Sequence, residues 1–187
     1  MQRVMIIGQP GSGKSTLAKR LGELTYLPVI HIDLIHWMPG WIERDRVEKT
    51  RMTLQVIAEP KWIFEGGHSA TWPQRLERAD TLIWLDFPLN LRAWRVLKRT
   101  LRHYGRTRPD LPEGCPEHFS WEFWGWIWRT RRTSRTAMRK LFDGAPKDKT
   151  TYHLRSPSEV RGFLLSLGKA VSIGNLGVPH HQIGERQ

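Results

Sequence analysis

Apolar positions along the chain fall into two rhythms. Short runs, Val4 to Ile7, Val29 to Ile32 with His31 inside it, Trp62 to Phe64 and Leu82 to Leu85, read as buried strands. Each stops on a glycine or an acid, at Gly8, Asp33, Glu65 and Asp86. Between the runs the spacing widens to three and four residues. Leu17, Leu21 and Leu24 predict a helix that starts after Gly13 and is ended by Pro28. Val47, Leu54, Ile57 and Ala58 put an apolar stripe on a second helix, opened by the capping box Asp45 to Glu48 and closed by Pro60. After Asp86-Phe87-Pro88 a long basic helix carries Leu91, Trp94, Leu97 and Leu101 on one face and ends near Gly105. Arg106 to Pro116 holds three prolines and reads as a loop. It leads into an aromatic segment in which Trp121, Trp124 and Trp128 share a helical face, expected to pack onto the body. Thr150 to Leu154 makes a fifth strand, and Ser156 to Glu159 caps a last helix through Leu167.

Strands alternating with helices imply an α/β fold, a parallel sheet covered on both faces. The pattern predicts a single domain over residues 1–168, with a helical lid inserted at about 103–140 and a flexible tail at 169–187. Ligands in such sheets gather at the carboxyl ends of the strands. Gly8 to Ser15, Asp33, Glu65 and Asp86 should therefore share one rim.

The chemistry begins at Gly8-Gln9-Pro10-Gly11-Ser12-Gly13-Lys14-Ser15-Thr16, which satisfies G-x-x-x-x-G-K-[ST] between a strand and a helix. Gly8, Gly11, Ser12, Gly13 and Thr16 belong to a backbone cradle for phosphates, with Lys14 reaching the β and γ phosphates of ATP. Ser15 offers a hydroxyl to Mg²⁺, and Glu65 a carboxylate that orients the ion through its water. Asp33 stands where an acid can accept or orient an acceptor's proton. His36, between Ile35 and Trp37, reads as structural.

Composition narrows the setting. With 187 residues, 39% hydrophobic and 26% charged, the chain suits one globular domain. No apolar run approaches the ~18 residues of a membrane span, so no membrane partner and a cytoplasmic location are expected. The single Cys115 leaves no disulfide framework and no cysteine-based zinc cluster. The net charge of +12 is concentrated: residues 91–140 hold thirteen Lys/Arg against four Asp/Glu. Arg95 and Arg99, one helical turn apart, and Arg131, Arg132 and Arg135 further on are candidates to close over phosphates and stabilise a transferring phosphoryl group. The alternative is a nucleic-acid-associated regulator that tracks phosphates with this basic segment.

With these residues in place the chain resembles the adenylate-kinase-like small P-loop kinases, and within them the DNA topology modulation proteins. Beside the P-loop the resemblance rests on His31-Ile32-Asp33, Pro39-Gly40-Trp41, Trp62 to Gly66, Leu85 to Pro88, and Arg106 to Asp110 with Glu113 to Glu117. It implies a three-layer fold with strand order 2-3-1-4-5 and a lid after the fourth strand. It also implies that Arg95 and Arg99 contact ATP, and that Arg75 matches the arginine holding an acceptor phosphate. The expected activity is transfer from Mg-ATP to a small hydroxyl- or phosphate-bearing acceptor, a nucleoside or nucleotide. No topoisomerase nucleophile is apparent among Tyr26, Tyr104 and Tyr152, so any effect on DNA topology is read as indirect.

Overall fold

The computed structural model describes residues 1–175. Its strands are β1 (Arg3–Gly8), β2 (Val29–His31), β3 (Trp37–Met38), β4 (Ile42–Glu43), β5 (Trp62–Glu65), β6 (Thr81–Leu85) and β7 (Thr150–Leu154). The helices are α1 (Lys14–Thr25), α2 (Ile32–His36), α3 (Arg46–Ala58), α4 (Trp72–Arg78), α5 (Leu89–Arg102), α6 (Trp121–Asp143) and α7 (Pro157–Asn175). Five strands form a parallel sheet in the order β2-β5-β1-β6-β7. Counted along the main sheet alone, this is the expected 2-3-1-4-5. The additional hairpin β3–β4 was not foreseen; it occupies the stretch after Asp33.

Alternation along the strands feeds two cores. Met5, Ile7, Phe64, Leu82 and Trp84 face one way, against Ile57 of α3, Leu76 of α4 and Met138 of α6. Val4, Ile6, Ile63 and Ile83 face the other, against Leu17 and Leu21 of α1 and Phe163 and Leu167 of α7. Both faces being covered explains why the strands read as apolar runs.

The caps formed as the sequence reads. Asp45 accepts from the N–H groups of Val47 (2.8 Å) and Glu48 (3.2 Å), and the Ser156 hydroxyl accepts from Glu159 N (3.2 Å). Several faces did not. On α3 the buried positions are Lys49, Thr53 and Ile57, while Val47 is exposed. On α5 they are Arg92, Val96 and Thr100; Trp94 and Leu101 face outward. The expected packing face of α6 is likewise turned out, with Trp121 and Trp128 exposed and Ile127 and Met138 buried. The end of the segment expected as a lid reaches the core, since Met138 is buried with Trp84 in the first cluster, and Phe142 just beyond it packs its ring on Trp84. Finally, α7 runs through Gly168 to Asn175, so the helix passes the expected start of the tail; Leu164, Leu167 and Val171 keep the helical spacing going. The rest of that tail, 176–187, lies outside the described residues.

Candidate active site

Why α5 turns its arginines inward is clear from what it covers. It lies on the P-loop, a polar surface of carbonyls. Arg92, 3% exposed, donates from Nη1 to Pro10 O (3.2 Å) and from Nε to Phe87 O (3.0 Å). Gly11, at φ +77°, lies so close beneath that a Cβ there would run into the Arg92 carbonyl. Glycine is needed at that point on both counts. One turn on, Arg95 reaches Ser12 O (3.4 Å) and lies 5.0 Å from the Phe87 ring centroid. Arg92 and Arg95 thus brace the loop and leave guanidinium charge over it.

The loop has the features of an anion cradle. Ser12 is 1% exposed and its hydroxyl has no partner among the described residues. The first N–H groups of α1, from Lys14 to Thr16, are those a helix cannot satisfy internally. Lys14 has only a long contact, 3.4 Å, from Nζ to Gln9 O. Burial lowers its pKa, and the charges of Glu65 and Asp33 work against that. An ammonium held this way with no close partner is suited to a triphosphate. Gly8 ends β1 at the rim, Gly13 caps α1 and Thr16 is exposed on its first turn.

Ser15 and Glu65 come together across fifty residues of chain. Glu65 is 3% exposed, and its Oε1 accepts from Ser15 Oγ at 2.9 Å. The same oxygen lies 2.8 Å from His31 Nδ1. A hydroxyl beside a buried carboxylate is the donor set expected of a magnesium ion that draws its other ligands from phosphate and water. Among the described residues no group of three His, Cys, Asp or Glu could hold a metal unaided.

Asp33 sits in the first turn of α2, and its carboxylate makes no hydrogen bond among the described residues. Burial raises its pKa to about 6, the Glu65 charge adds to this, and Lys14 and Arg108 oppose it. Those two cations and two further acids, Glu65 and Asp110, are therefore its electrostatic neighbours. Arg108 was not singled out from the sequence. It arrives on the loop after α5, paired to Asp110 Oδ2 (2.7 Å) and to Glu117 Oε1 (2.7 Å). Glu117 also holds Arg99, Nε to Oε1 at 3.0 Å. Arg99 is thus turned toward Glu117 and Arg108, while Arg95 keeps to the P-loop.

The loop is fastened to the β3–β4 hairpin. Gly40 N donates to Gly114 O (3.0 Å), Trp41 Nε1 to Pro116 O (3.0 Å), Trp41 N to Cys115 Sγ (3.4 Å), and Cys115 Sγ to Met38 O (3.3 Å). Cys115, fully buried, acts as a structural pin.

Four arginines expected at phosphates are found elsewhere in this structure. Arg75 is 0% exposed and spends its guanidinium on the carbonyls of Gly66 (3.3 Å), Gly67 and His68, with its charge over the Phe64 ring at 4.8 Å. It props the loop after β5 and is not free for an acceptor phosphate. Arg135 forms a two-point pair with Asp86 (2.7 and 2.8 Å), where His153 Nε2 also reaches Asp86 at 3.2 Å. It pins α6 to the end of β6. Arg131 folds back over the Trp128 ring, 4.0 Å from its centroid, and Arg132 is exposed without a partner among the described residues. Gln9 binds the Arg131 carbonyl (2.9 Å), so α6 touches the P-loop through backbone rather than through these guanidinium groups.

No family model matches the chain. No curated protein matches it in sequence. Among solved structures it is similar to the shikimate kinase from Acinetobacter baumannii in complex with shikimate, at 14% identity over 94% of this chain and 96% of that one, with a TM-score of 0.50. Others include a sugar kinase from Janibacter (19% identity, 91% and 98% coverage, TM-score 0.49) and a gluconokinase from Sinorhizobium meliloti (16%, 95% and 98%, 0.49). The sheet order, the P-loop and the shared architecture give this chain the α/β fold of the small P-loop kinases.

Proposed function

We propose that the protein is a small-molecule kinase that moves the γ-phosphate of Mg-ATP to a hydroxyl of a small acceptor. The observation that carries this is the unpartnered Asp33 carboxylate beside Lys14, Glu65 and Arg108. A phosphate-binding loop alone would serve any nucleotide hydrolase or switch; a carboxylate of raised pKa with no hydrogen-bond partner beside it serves a proton-bearing nucleophile. In the transfer, the acceptor oxygen bonds to the γ-phosphorus, its proton passes to Asp33, and the bond to the β-bridging oxygen breaks to release ADP. Lys14 and Arg95 supply positive charge to the phosphates, and Arg108 supplies it on the acceptor side. Magnesium, held from Ser15 and oriented by Glu65, would neutralise the β and γ oxygens.

The acceptor is read as hydroxyl-bearing rather than as a nucleotide, because the arginine matched to an acceptor phosphate, Arg75, is consumed by backbone carbonyls. The complex of the similarly folded kinase with shikimate, a hydroxylated acid, is in keeping with this. A nucleoside stays within the class. The narrower likeness to DNA topology modulation proteins rests on residues 106–110 and 113–117, which are the ones that carry Arg108 and Glu117 to the site. We read them as kinase parts, with residues 103–120 as the flap over the acceptor. The test is ATP consumption measured against a panel of nucleosides, nucleotides, sugars and hydroxy acids, with Lys14→Ala as control. Stimulation by one hydroxylated class, absent in the control, supports the reading. ATP hydrolysis indifferent to every acceptor, or stimulation by nucleic acid alone, would refute it.

A further inference from the structure

Helix α5 is built inside out. Arg92 and Arg95 face the P-loop, so Trp94 and Leu101 are left facing outward, 62% and 68% exposed. The exposed stripe does not end with the helix. Tyr104, 66% exposed, follows immediately, and its backbone bridges to Glu117. Two residues beyond Glu117 is Phe119, whose ring meets Trp121 edge-on at 4.8 Å; Trp121 is 80% exposed. The backbone bridge ties the end of α5 to the segment that leads into α6, so exposed aromatic and aliphatic side chains recur from Trp94 through Leu101 and Tyr104 to Phe119 and Trp121. Lys98, Arg102 and Arg106 lie along the same stretch, exposed and with no side-chain partner among the described residues. The exposed acids of the stretch are Glu113 and Glu122.

Large apolar side chains left in water on an amphipathic helix mark a docking surface. Charge selects the occupant. A second copy would bring its own cations against these, on a chain already at +12. A single strand of nucleic acid needs open ring faces for stacking. Of the rings on this surface, Phe119 is stacked on Trp124 (6.2 Å) and meets Trp121 edge-on (4.8 Å), and Leu101, between Trp94 and Tyr104 on the chain, offers no ring at all. Tryptophan, tyrosine and leucine interleaved with Lys and Arg is the composition favoured at the boundary between lipid headgroups and acyl chains. No described helix is long and apolar enough to cross a membrane, so contact would be made from one side.

We propose that the outer face of α5, continued through Tyr104 and Phe119 to Trp121, docks on an anionic lipid bilayer. Trp94, Leu101 and Trp121 enter the headgroup layer, and Lys98, Arg102 and Arg106 meet lipid phosphates. The proposal is independent of the acceptor's identity.

The test is co-sedimentation of the full chain with vesicles of phosphatidylcholine alone and of phosphatidylcholine mixed with phosphatidylglycerol, followed also by tryptophan emission. Binding is expected only to the anionic vesicles, with a blue shift, and to weaken with salt. Trp94→Glu with Leu101→Glu removes the apolar contact, and Lys98→Glu with Arg102→Glu reverses the charge. Each pair should cut partitioning roughly tenfold or more, with binding of a fluorescent ATP analogue unchanged as evidence of folding. The second pair keeps the test valid if the first does not fold. Failure to bind anionic vesicles, or binding that neither pair alters, overturns the proposal. So does a dimer in sedimentation velocity, or retention of a single-stranded oligonucleotide in preference to anionic vesicles, if both pairs abolish it.

Discussion

Replacing Asp33 by Asn should make the protein more stable and less active, with a dependence on pH that identifies the cause. Its carboxyl is raised from 3.8 to about 6 by burial and the Glu65 charge. Between those values the native state binds a proton that the unfolded state does not, so native stability falls as pH rises from about 4 to about 6. Above that window the loss is complete. At about 1.4 kcal/mol per pH unit, a rise of this size corresponds to about 3 kcal/mol, as an upper figure. Asn keeps the volume without the charge, so Asp33→Asn should gain up to that amount at pH 7 and nothing below pH ~4. Urea denaturation of both proteins across this range measures it. Phosphotransfer by the wild type should rise with pH through about 6, and the variant should lose roughly 10²–10⁴ in rate while ATP affinity changes little. Equal stability of the two proteins at pH 7 would refute the strained carboxylate. A stability gain with full activity would remove Asp33 from the chemistry.

Lys14→Ala should leave a folded protein, by circular dichroism, whose phosphotransfer is down by at least about 10²-fold. Glu65→Gln and Ser15→Ala should each raise the magnesium concentration needed for half-maximal rate; an unchanged titration for Glu65→Gln would leave that residue a structural acid. Arg75→Ala leaves the carbonyls of Gly66, Gly67 and His68 without their donor and should cost about 3 kcal/mol in denaturant unfolding. Arg108→Ala should lower the rate by roughly 10²–10³. By contrast Arg135→Ala, which breaks a pair half open to solvent, should cost about 1 kcal/mol of stability and leave the rate nearly as it was.

What the sequence made legible was local. The P-loop, the strand end at Glu65, and the caps at Asp45 and Ser156 are each set by residues a few positions apart; the strand expected to run to Asp33 stops at His31, and Asp33 lies in the first turn of α2. The parallel order followed from alternation and from the likeness to P-loop kinases. Helix faces were harder, because periodicity defines a stripe without saying which side the chain buries. On α5 the underlying surface is carbonyl-rich, so Arg92 and Thr100 went in and Trp94 and Leu101 stayed out. Arginine roles failed for a related reason. A guanidinium matched to phosphate by position, as Arg75 was, is equally served by three backbone carbonyls, and their orientation depends on the turn at Gly66, where φ is +112°. Arg108, Glu117 and His31 emerged only from the folded chain, since Glu117 gathers Arg99 and Arg108, and Glu65 meets His31 from thirty-four residues away. The nearest hint was the motif Arg106 to Asp110, which gave a likeness without a role.

The four hydrogen bonds between the β3–β4 hairpin and the loop from Gly114 to Pro116 have a thermodynamic corollary. The hairpin follows directly on Asp33 and α2, and the loop carries Arg108 and the partner of Arg99. On the proposed reading, donor and acceptor are therefore covered by one body rather than two. Any motion that settles this roof over ATP must carry the acceptor wall with it, and an acceptor that draws the wall inward must bring the guanidinium groups toward the phosphates. Linkage then makes the two ligands reciprocal, each raising the other's affinity by the same factor. Water, which cannot pull on the hairpin, would find the roof open and the γ-phosphate poorly served, so the pin at Cys115 would also guard ATP against idle hydrolysis.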